Sequence, residues 1–534
     1  MLAACSYEHG RVADSDAGVD APPVTTKVHF TSLTTTATIV RPGTYGIEVT
    51  AVLRNDLGAE ITDLAVALDV GGRGDVRQRD ADRRDGVLTA HPESIAAGSE
   101  ATFHFVIDAL PWLAAADVVL DGEATFTAGG SPLSASGLPA RRKLSYTGIN
   151  APILVTTAQD ESNGNAQVSL REAITTANNL SGPDRIIFSP TVFTPGTTIT
   201  LSDSLGELPA IATDLVIDGT GTSTTLAAPP AWDDPEGRYG LRIVNGTVAV
   251  SGLTFRNFAL AYRDEMITTD GGNCGTSNAQ LQGGAIRVDG GTLILDSNRF
   301  EDPDVAERNC YAASVRLHGG TNHRIIGNTW TDQVMDSLFV AARTIEITDN
   351  VMVAPAHPER ADEGVYISSQ GGGDLWVIGN VIVDSEYSGV YAGGSDTGKL
   401  YVVNNTFVRN GRTSLSALRR SGPRSVTLRN NVYIANQPAA FEADNSASGI
   451  DVAYESVTGS PLCIGCGGAT INLPTIVTPA DPGVMNMTGT SRTDFTPATG
   501  SPLIDAADPW LDRNGAAPRR FSGTGQERGA VELP

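Results

Sequence analysis

One pattern recurs six times in the second half of the chain: an apolar run, then Asn, then an apolar residue two positions on. The Asn residues are Asn298, Asn328, Asn350, Asn380, Asn405 and Asn431, separated by 30, 22, 30, 25 and 26 residues. The first copy runs Leu293 to Phe300 and the last Val426 to Tyr433. Steps this short, filled by strand and turn residues, leave room for one solenoid coil each. Every coil then buries its inward side chains on the coils above and below. An aligned Asn column reads as an internal ladder, because Asn tolerates a left-handed turn and stacked amides hydrogen-bond one another.

A second short strand precedes the Asn strands: Ile286–Val288, Val315–Leu317, Leu338–Val340, Val365–Ile367 and Val390–Ala392. Strand side chains alternate faces, so the apolar flanks of each point inward and the middle residue points out. The middle residues are Arg287, Arg316, Phe339, Tyr366 and Tyr391. Five coils about 4.8 Å apart span about 19 Å, the reach of a short oligosaccharide. Aromatic faces stack on sugar rings, and Arg forks pair with carboxylates. The alternative is ordinary cross-strand stacking on a surface. Trp376 and Tyr401 occupy matching positions on the Asn strands and form a candidate second sugar platform.

The loops entering this strip, Tyr262–Gln282, Glu301–Tyr311 and Ala354–Glu363, are longer than coil turns need, and long loops on rigid scaffolds carry function. Asp336 and Glu363 precede their strands at matching positions, with Asp362 beside the latter. One coil apart is too close for the carboxylates of an inverting hydrolase, which stand about 6.5–9.5 Å apart. It suits a Ca²⁺ site or a retaining pair. An eliminating lyase would combine such a Ca²⁺ cluster with a base, for which Arg316 is the candidate, with His318 also facing out. No cofactor other than this Ca²⁺ is implied.

With 534 residues, the chain exceeds one compact core. Its 58 Gly against 14 Phe, 12 Tyr and 5 Trp favour short strands and tight turns. A formal charge of −24 and a pI near 4.6 argue against nucleic acid as a partner. No stretch approaches the ~20 apolar residues of a membrane-spanning helix. Residues 6–24 are polar, acidic and aperiodic, and read as a disordered tether. Residues 25–148 alternate apolar and polar in short runs broken by Asn-Asp and Gly-Gly turns, which fits an immunoglobulin-like β-sandwich.

The cysteines are Cys5, Cys274, Cys310, Cys463 and Cys466. The run Leu2-Ala3-Ala4-Cys5 resembles a bacterial lipobox, making residues 1–5 a lipobox remnant. That resemblance implies lipidation of Cys5, and Ser6 after it implies sorting to the outer membrane. Cys274 and Cys310 sit on two entry loops one coil apart, where a disulfide would brace a groove wall. Cys463-Ile-Gly-Cys466 has redox-motif spacing without the context for redox or Zn chemistry, and reads as a local structural disulfide.

Val168-Ser-Leu-Arg-Glu-Ala-Ile174, followed by Ala177-Asn178, resembles the N-terminal cap motif named for Cys-Ser-Leu-Arg-Glu-Ala, with Val168 where the family often has Cys. Gly500-Ser-Pro-Leu-Ile-Asp505 and Gly529-Ala-Val-Glu532 resemble that family's closing, choice-of-anchor-type region. The resemblance covers roughly residues 150–534. It implies a right-handed parallel β-helix of the pectate-lyase-like superfamily, exported and surface-attached, with a cap helix near 169–179 and a closing region near 500–534. Ser169 and Glu172 have the spacing of a capping box, and Arg171 and Glu172 read as structural.

The expected fold class is therefore mainly β: an immunoglobulin-like sandwich, then a β-helix over 149–534. The expected function is a lipid-anchored surface protein that binds polysaccharide or a cell-surface partner without catalysis. The competing reading is a polysaccharide lyase or glycoside hydrolase acting on acidic glycans at the strip.

Overall fold

The structure, a computed structural model, describes residues 24–41, 44–69, 75–78, 94–111, 118–136, 142–144, 152–180, 183–229, 238–258, 284–302, 313–331, 336–354, 364–367, 373–393, 398–411, 416–444, 449–467 and 469–504. Cys5, Cys274, Cys310, Asp362 and Glu363 lie outside the described residues.

From Ile153 onward the chain coils into three parallel sheets. Sheet 1 has twelve strands, from Ile153–Val155 to Thr470–Ile471. Sheet 2 has ten, from Thr198–Thr200 to Ser456–Thr458. Sheet 3 has nine, from Tyr239–Ile243 to Cys463–Ile464. The fold is a right-handed parallel β-helix, as the repeat and the resemblance predict.

The Asn column is the ladder. The Asn328 backbone N–H and Nδ2 both donate to Asn350 Oδ1, at 2.9 and 3.1 Å. Nδ2 also donates to the carbonyls of Leu295 and Ile326. The arrangement repeats from Asn298 through Asn328, Asn350, Asn380 and Asn405 to Asn431. One detail differs from the sequence reading. The left-handed residue is the one before each rung: Ser297, Gly327, Asp349, Gly379, Asn404 and Asn430, with φ between 53° and 66°. The rung itself uses its amide, not its backbone freedom. A second ladder follows sheet 2, in which Ser385 N–H donates to Asn410 Oδ1 and Asn410 to Asn436 Oδ1.

The interior is filled by stacked rings from sheet 2. Phe255, Phe300 and Trp330 lie in register at 5.0 and 4.8 Å, and Phe407 stacks on Tyr433 at 5.2 Å. Sheet 3 makes room for them with small residues. A Cβ on Gly389 would come within 2.9 Å of the Phe407 ring.

A helix at Leu170–Asn179 closes the N-terminal end, with the predicted Ser169–Glu172 capping box formed. Arg171 is structural: its guanidinium grips both Asp160 carboxylate oxygens at 2.8 Å and the carbonyls of Gly206 and Glu207. At the other end, Val484, Phe495 and Leu503 pack on the outward valines of sheet 2, including Val381, Val383, Val408 and Val432. Arg409 and Arg492 tie this returning segment down through the carbonyls of Met487, Gly489 and Gly379. Upstream of the β-helix, seven described strands pair along one path, and Arg142–Leu144 pairs off it with Val118–Ala128. Val24–Arg41 is antiparallel to Thr44–Asn55 and parallel to Ser131–Ser136, and Val28, Phe30, Leu53, Phe103 and Phe126 are buried.

The first ladder ends on an acid rather than an amide. Asn431 N–H and Nδ2 point to Glu455 Oε1, and Glu455 is fully buried. Burial pushes its carboxyl up to about 8, from an ordinary 4.5. A folded pKa above the unfolded one costs nothing below pH ~4.5, and the cost grows until the pH passes ~8. Wild-type stability is therefore expected to fall between pH 5 and 8. Glu455→Gln should remove that fall, matching wild type at pH 5 and unfolding at higher denaturant at pH 8. Equal midpoints at pH 8 would contradict the assignment. Asn350→Ala strands the Asn328 donors and should cost about 2–4 kcal/mol in the same assay.

Candidate functional site

The strip predicted from sequence is a single register column on the outward face of sheet 3. Arg242 pairs with Arg287, Arg287 with Arg316, Arg316 with Phe339, Phe339 with Tyr366 and Tyr366 with Tyr391. The column continues through Arg419 and Glu442. Seven steps of about 4.8 Å make it about 34 Å long. Sequence reading missed Arg242, Arg419 and Glu442. Arg242 precedes the first Asn repeat. Arg419 lies on a strand that lacks the flanking apolar pattern, Leu418-Arg419-Arg420, and Glu442, flanked by Phe441 and Ala443, follows the last Asn repeat.

The central part is aromatic. Phe339 and Tyr366 stack at 5.3 Å with their planes 7° apart, and Tyr391 follows at 5.1 Å, tilted by 44°. All three are half-buried, so one edge or face of each meets solvent. The Arg419 guanidinium stands 5.7 Å from the Tyr391 ring centre and 3.7 Å from Glu442, whose other oxygen accepts from Ser416.

The N-terminal part is charged. Arg316 is only 6% exposed, with its guanidinium 4.0 Å from the Phe339 ring centre. Its Nε donates to His318 Nε2 at 2.6 Å. Burial lowers the Arg316 pKa, and Arg287 lowers it further, while Tyr239 and Asp336 oppose the shift. Asp336 pairs in register with Ala313, at the start of the strand carrying Phe339. The structure thus brings Arg287, Arg316, His318 and Asp336 to one end of the strip. Asp289 joins Arg287 and Arg242, accepting from their Nε atoms at 2.7 and 2.8 Å. These two bonds outweigh burial and hold the Asp289 carboxyl below its usual range.

Tyr239 and Glu207 complete this end, and sequence reading found neither. Gly284 lies opposite Tyr239 on the next coil, where a Cβ would come within 2.0 Å of the Ala313 carbonyl. The Arg287 guanidinium stands 5.4 Å from the Tyr239 ring centre. Tyr239 is 2% exposed, and its hydroxyl is engaged with the Arg287 side chain. Burial raises its pKa against the pull of Arg316 and Arg287. Glu207 Oε1 accepts from Tyr239 N–H at 2.8 Å. Burial raises the Glu207 pKa, opposed by that bond and by Arg242, Arg287 and Arg238.

Two expectations need revision or stay apart from this site. Trp376 and Tyr401 do pair and stack at 5.8 Å, but they are 5% and 3% exposed. They form a buried cluster with Ile378 and Val403, so their faces are not offered to a sugar. Cys463 and Cys466 are joined as a disulfide on the last strand of sheet 3, away from the charged end. Among the described residues no three His, Cys, Asp or Glu side chains group as a metal site.

The chain matches the family model described as "Right handed beta helix region" over residues 245–474. That span contains the Asn ladder and the strip from Arg287 onward. A solved structure, that of pectate lyase Pel9A, is similar at 13% identity with a TM-score of 0.36, covering 72% of this chain and 97% of its own. No curated protein matches this chain.

His318 accepts from Arg316, so its proton sits on Nδ1. Burial, reinforced by Arg316 and Arg287, lowers its pKa to about 4. The His318 ring should therefore show no titration between pH 5 and 8 in a two-dimensional NMR spectrum, and should keep one tautomer. A midpoint near 6.5 would mean that the Arg316 contact does not exist in solution.

Proposed function

We propose that this protein is a surface-anchored bacterial β-helix that binds polysaccharide along the outward column of sheet 3, without catalysing a reaction. The observation that carries the reading is the in-register run Phe339–Tyr366–Tyr391, half exposed and continuous with arginines at both ends. Successive coils stand about 4.8 Å apart, close to the rise of an extended glycan per sugar, so each ring would meet a successive residue of one chain. The lipobox-like Cys5, the acidic segment 6–24 and the strand-rich 25–148 region fit a lipid anchor, a tether and a spacer in the outer membrane.

A lyase or hydrolase reading is favoured by one observation. Burial and the neighbouring Arg287 lower the Arg316 pKa, against the pull of Tyr239 and Asp336, which brings a poor base nearer to use. Ca²⁺ would enter only in that reading, through Asp336, Asp362 and Glu363.

Binding of a panel of neutral and acidic oligosaccharides, measured calorimetrically with and without Ca²⁺, tests both readings. Tyr366→Ala should weaken binding about three- to tenfold, the size of one lost stacking contact. Affinity unchanged in Tyr366→Ala would refute the strip. Release of unsaturated sugars or new reducing ends, lost in Arg316→Ala, would replace the binding reading with the enzymatic one.

A further inference from the structure

We propose that the N-terminal end of the strip is a subsite for a single sugar carboxylate, and that Glu207 is the internal competitor that decides its occupancy. The proposal rests on the polysaccharide-binding reading above and specifies what that surface selects.

The subsite is built from paired guanidinium groups. Asp289 accepts from the Nε atoms of both Arg242 and Arg287, so one carboxylate orients two cations; Arg287 is also engaged by the Tyr239 hydroxyl, and the 43%-exposed Arg242 side chain keeps its terminal N–H groups for a ligand. The three groups together carry one positive charge. Arg316 adds a second, set against Asp336 on the next coil. Behind them lies the buried Tyr239 hydroxyl, engaged with the Arg287 side chain and close to Arg316. A cation pair oriented from behind in this way is the arrangement a ligand carboxylate would complete.

Glu207 sets the net charge of this end. Its carboxyl is anchored on Tyr239 N–H and feels Arg242, Arg287 and Arg238. Arg238 is already engaged by Asp203 at 2.7 Å, and Arg171 reaches only the Glu207 carbonyl. Ionised, Glu207 cancels the charge left on the Arg242–Asp289–Arg287 unit. Neutral, it leaves that unit cationic. Burial favours the neutral form, which supports the same direction.

The zoning of the strip narrows the ligand further. Arg242, Arg287 and Arg316 occupy its first three positions, Phe339, Tyr366 and Tyr391 follow, and Arg419 beyond them is set against Glu442. A polymer charged on every sugar would lay carboxylates against three rings and lose hydration without a partner. The fit is to a glycan with an acidic residue at one end and neutral residues after it.

The test uses the full chain and three probes of similar length: an aldouronic acid carrying one uronate on a xylose chain, the neutral xylo-oligosaccharide, and a fully charged oligogalacturonide. Calorimetry at pH 5 and pH 7.5 compares wild type, Glu207→Gln and Arg242→Gln. Glutamine keeps the acceptor for Tyr239 N–H, and the Arg242 side chain is 43% exposed, so both variants should fold, as checked by circular dichroism. Wild type should bind the aldouronic acid better than either other probe. Glu207→Gln should bind it about five- to tenfold more tightly than wild type at pH 7.5, and the gap should narrow at pH 5. Arg242→Gln should lose the preference for the acid and keep the neutral affinity. If the probes bind but Glu207→Gln leaves the acid preference unchanged, the subsite fails and the strip stands. Tightest binding of the oligogalacturonide refutes the zoning. If no probe binds any variant, the strip reading itself falls and the subsite with it.

Discussion

Each rung of the Asn ladder gives its backbone N–H and its Nδ2 to a single oxygen one coil further on. That geometry works only if successive rungs sit directly above one another. Buried amides left without partners are costly, so the ladder fixes the register between coils wherever it runs. The fixed register aligns the ring stack inside and the outward columns of all three sheets. The candidate site is a consequence of this alignment, since Arg287 and Tyr391 share a face only because every intervening coil is in step.

The ladder also explains where the chain varies. The turn between sheets 1 and 2 is held at two residues, a left-handed one and the rung. Differences between repeat steps of 22 and 30 residues must therefore fall in the other connections. The connections entering sheet 3 take up much of it, from Thr331–Asp336 in the 22-residue step to Val353–Val365 in a 30-residue step. Variable loops beside an invariant scaffold are a common way for a fold to change its ligand without changing its core.

The strip is divided electrostatically as well as chemically. Its central rings keep part of their surface open, while the arginines beside them are held by Asp289, His318 and the Phe339 face. A guanidinium held by its Nε is an oriented donor, and orientation lowers the entropic cost of accepting a ligand. The same low dielectric that orients these cations raises the pKa of Glu207 and lowers that of His318. Burial therefore keeps His318 uncharged across the neutral range, and the positive charge of the site rests on its arginines.

The sequence alone carried the coil repeat, the Asn ladder, the capping box at Ser169–Glu172, and the strip from Arg287 to Tyr391. All of these are periodic or local, and side-chain alternation turns them directly into geometry. It misjudged Trp376 and Tyr401, because alternation says which way a ring points but not what lies over it. It could not reach Glu207, Tyr239, Arg242 or Asp289. Glu207 lies 82 residues from Asp289. These residues meet only because the first coils stack in register under the cap, and proximity made by stacking leaves no periodic mark on a chain. The glycine at position 284 reads as one of 58 in the sequence. Only in the folded coil does it become the point where a side chain would strike the Ala313 carbonyl, beside a buried tyrosine and two arginines.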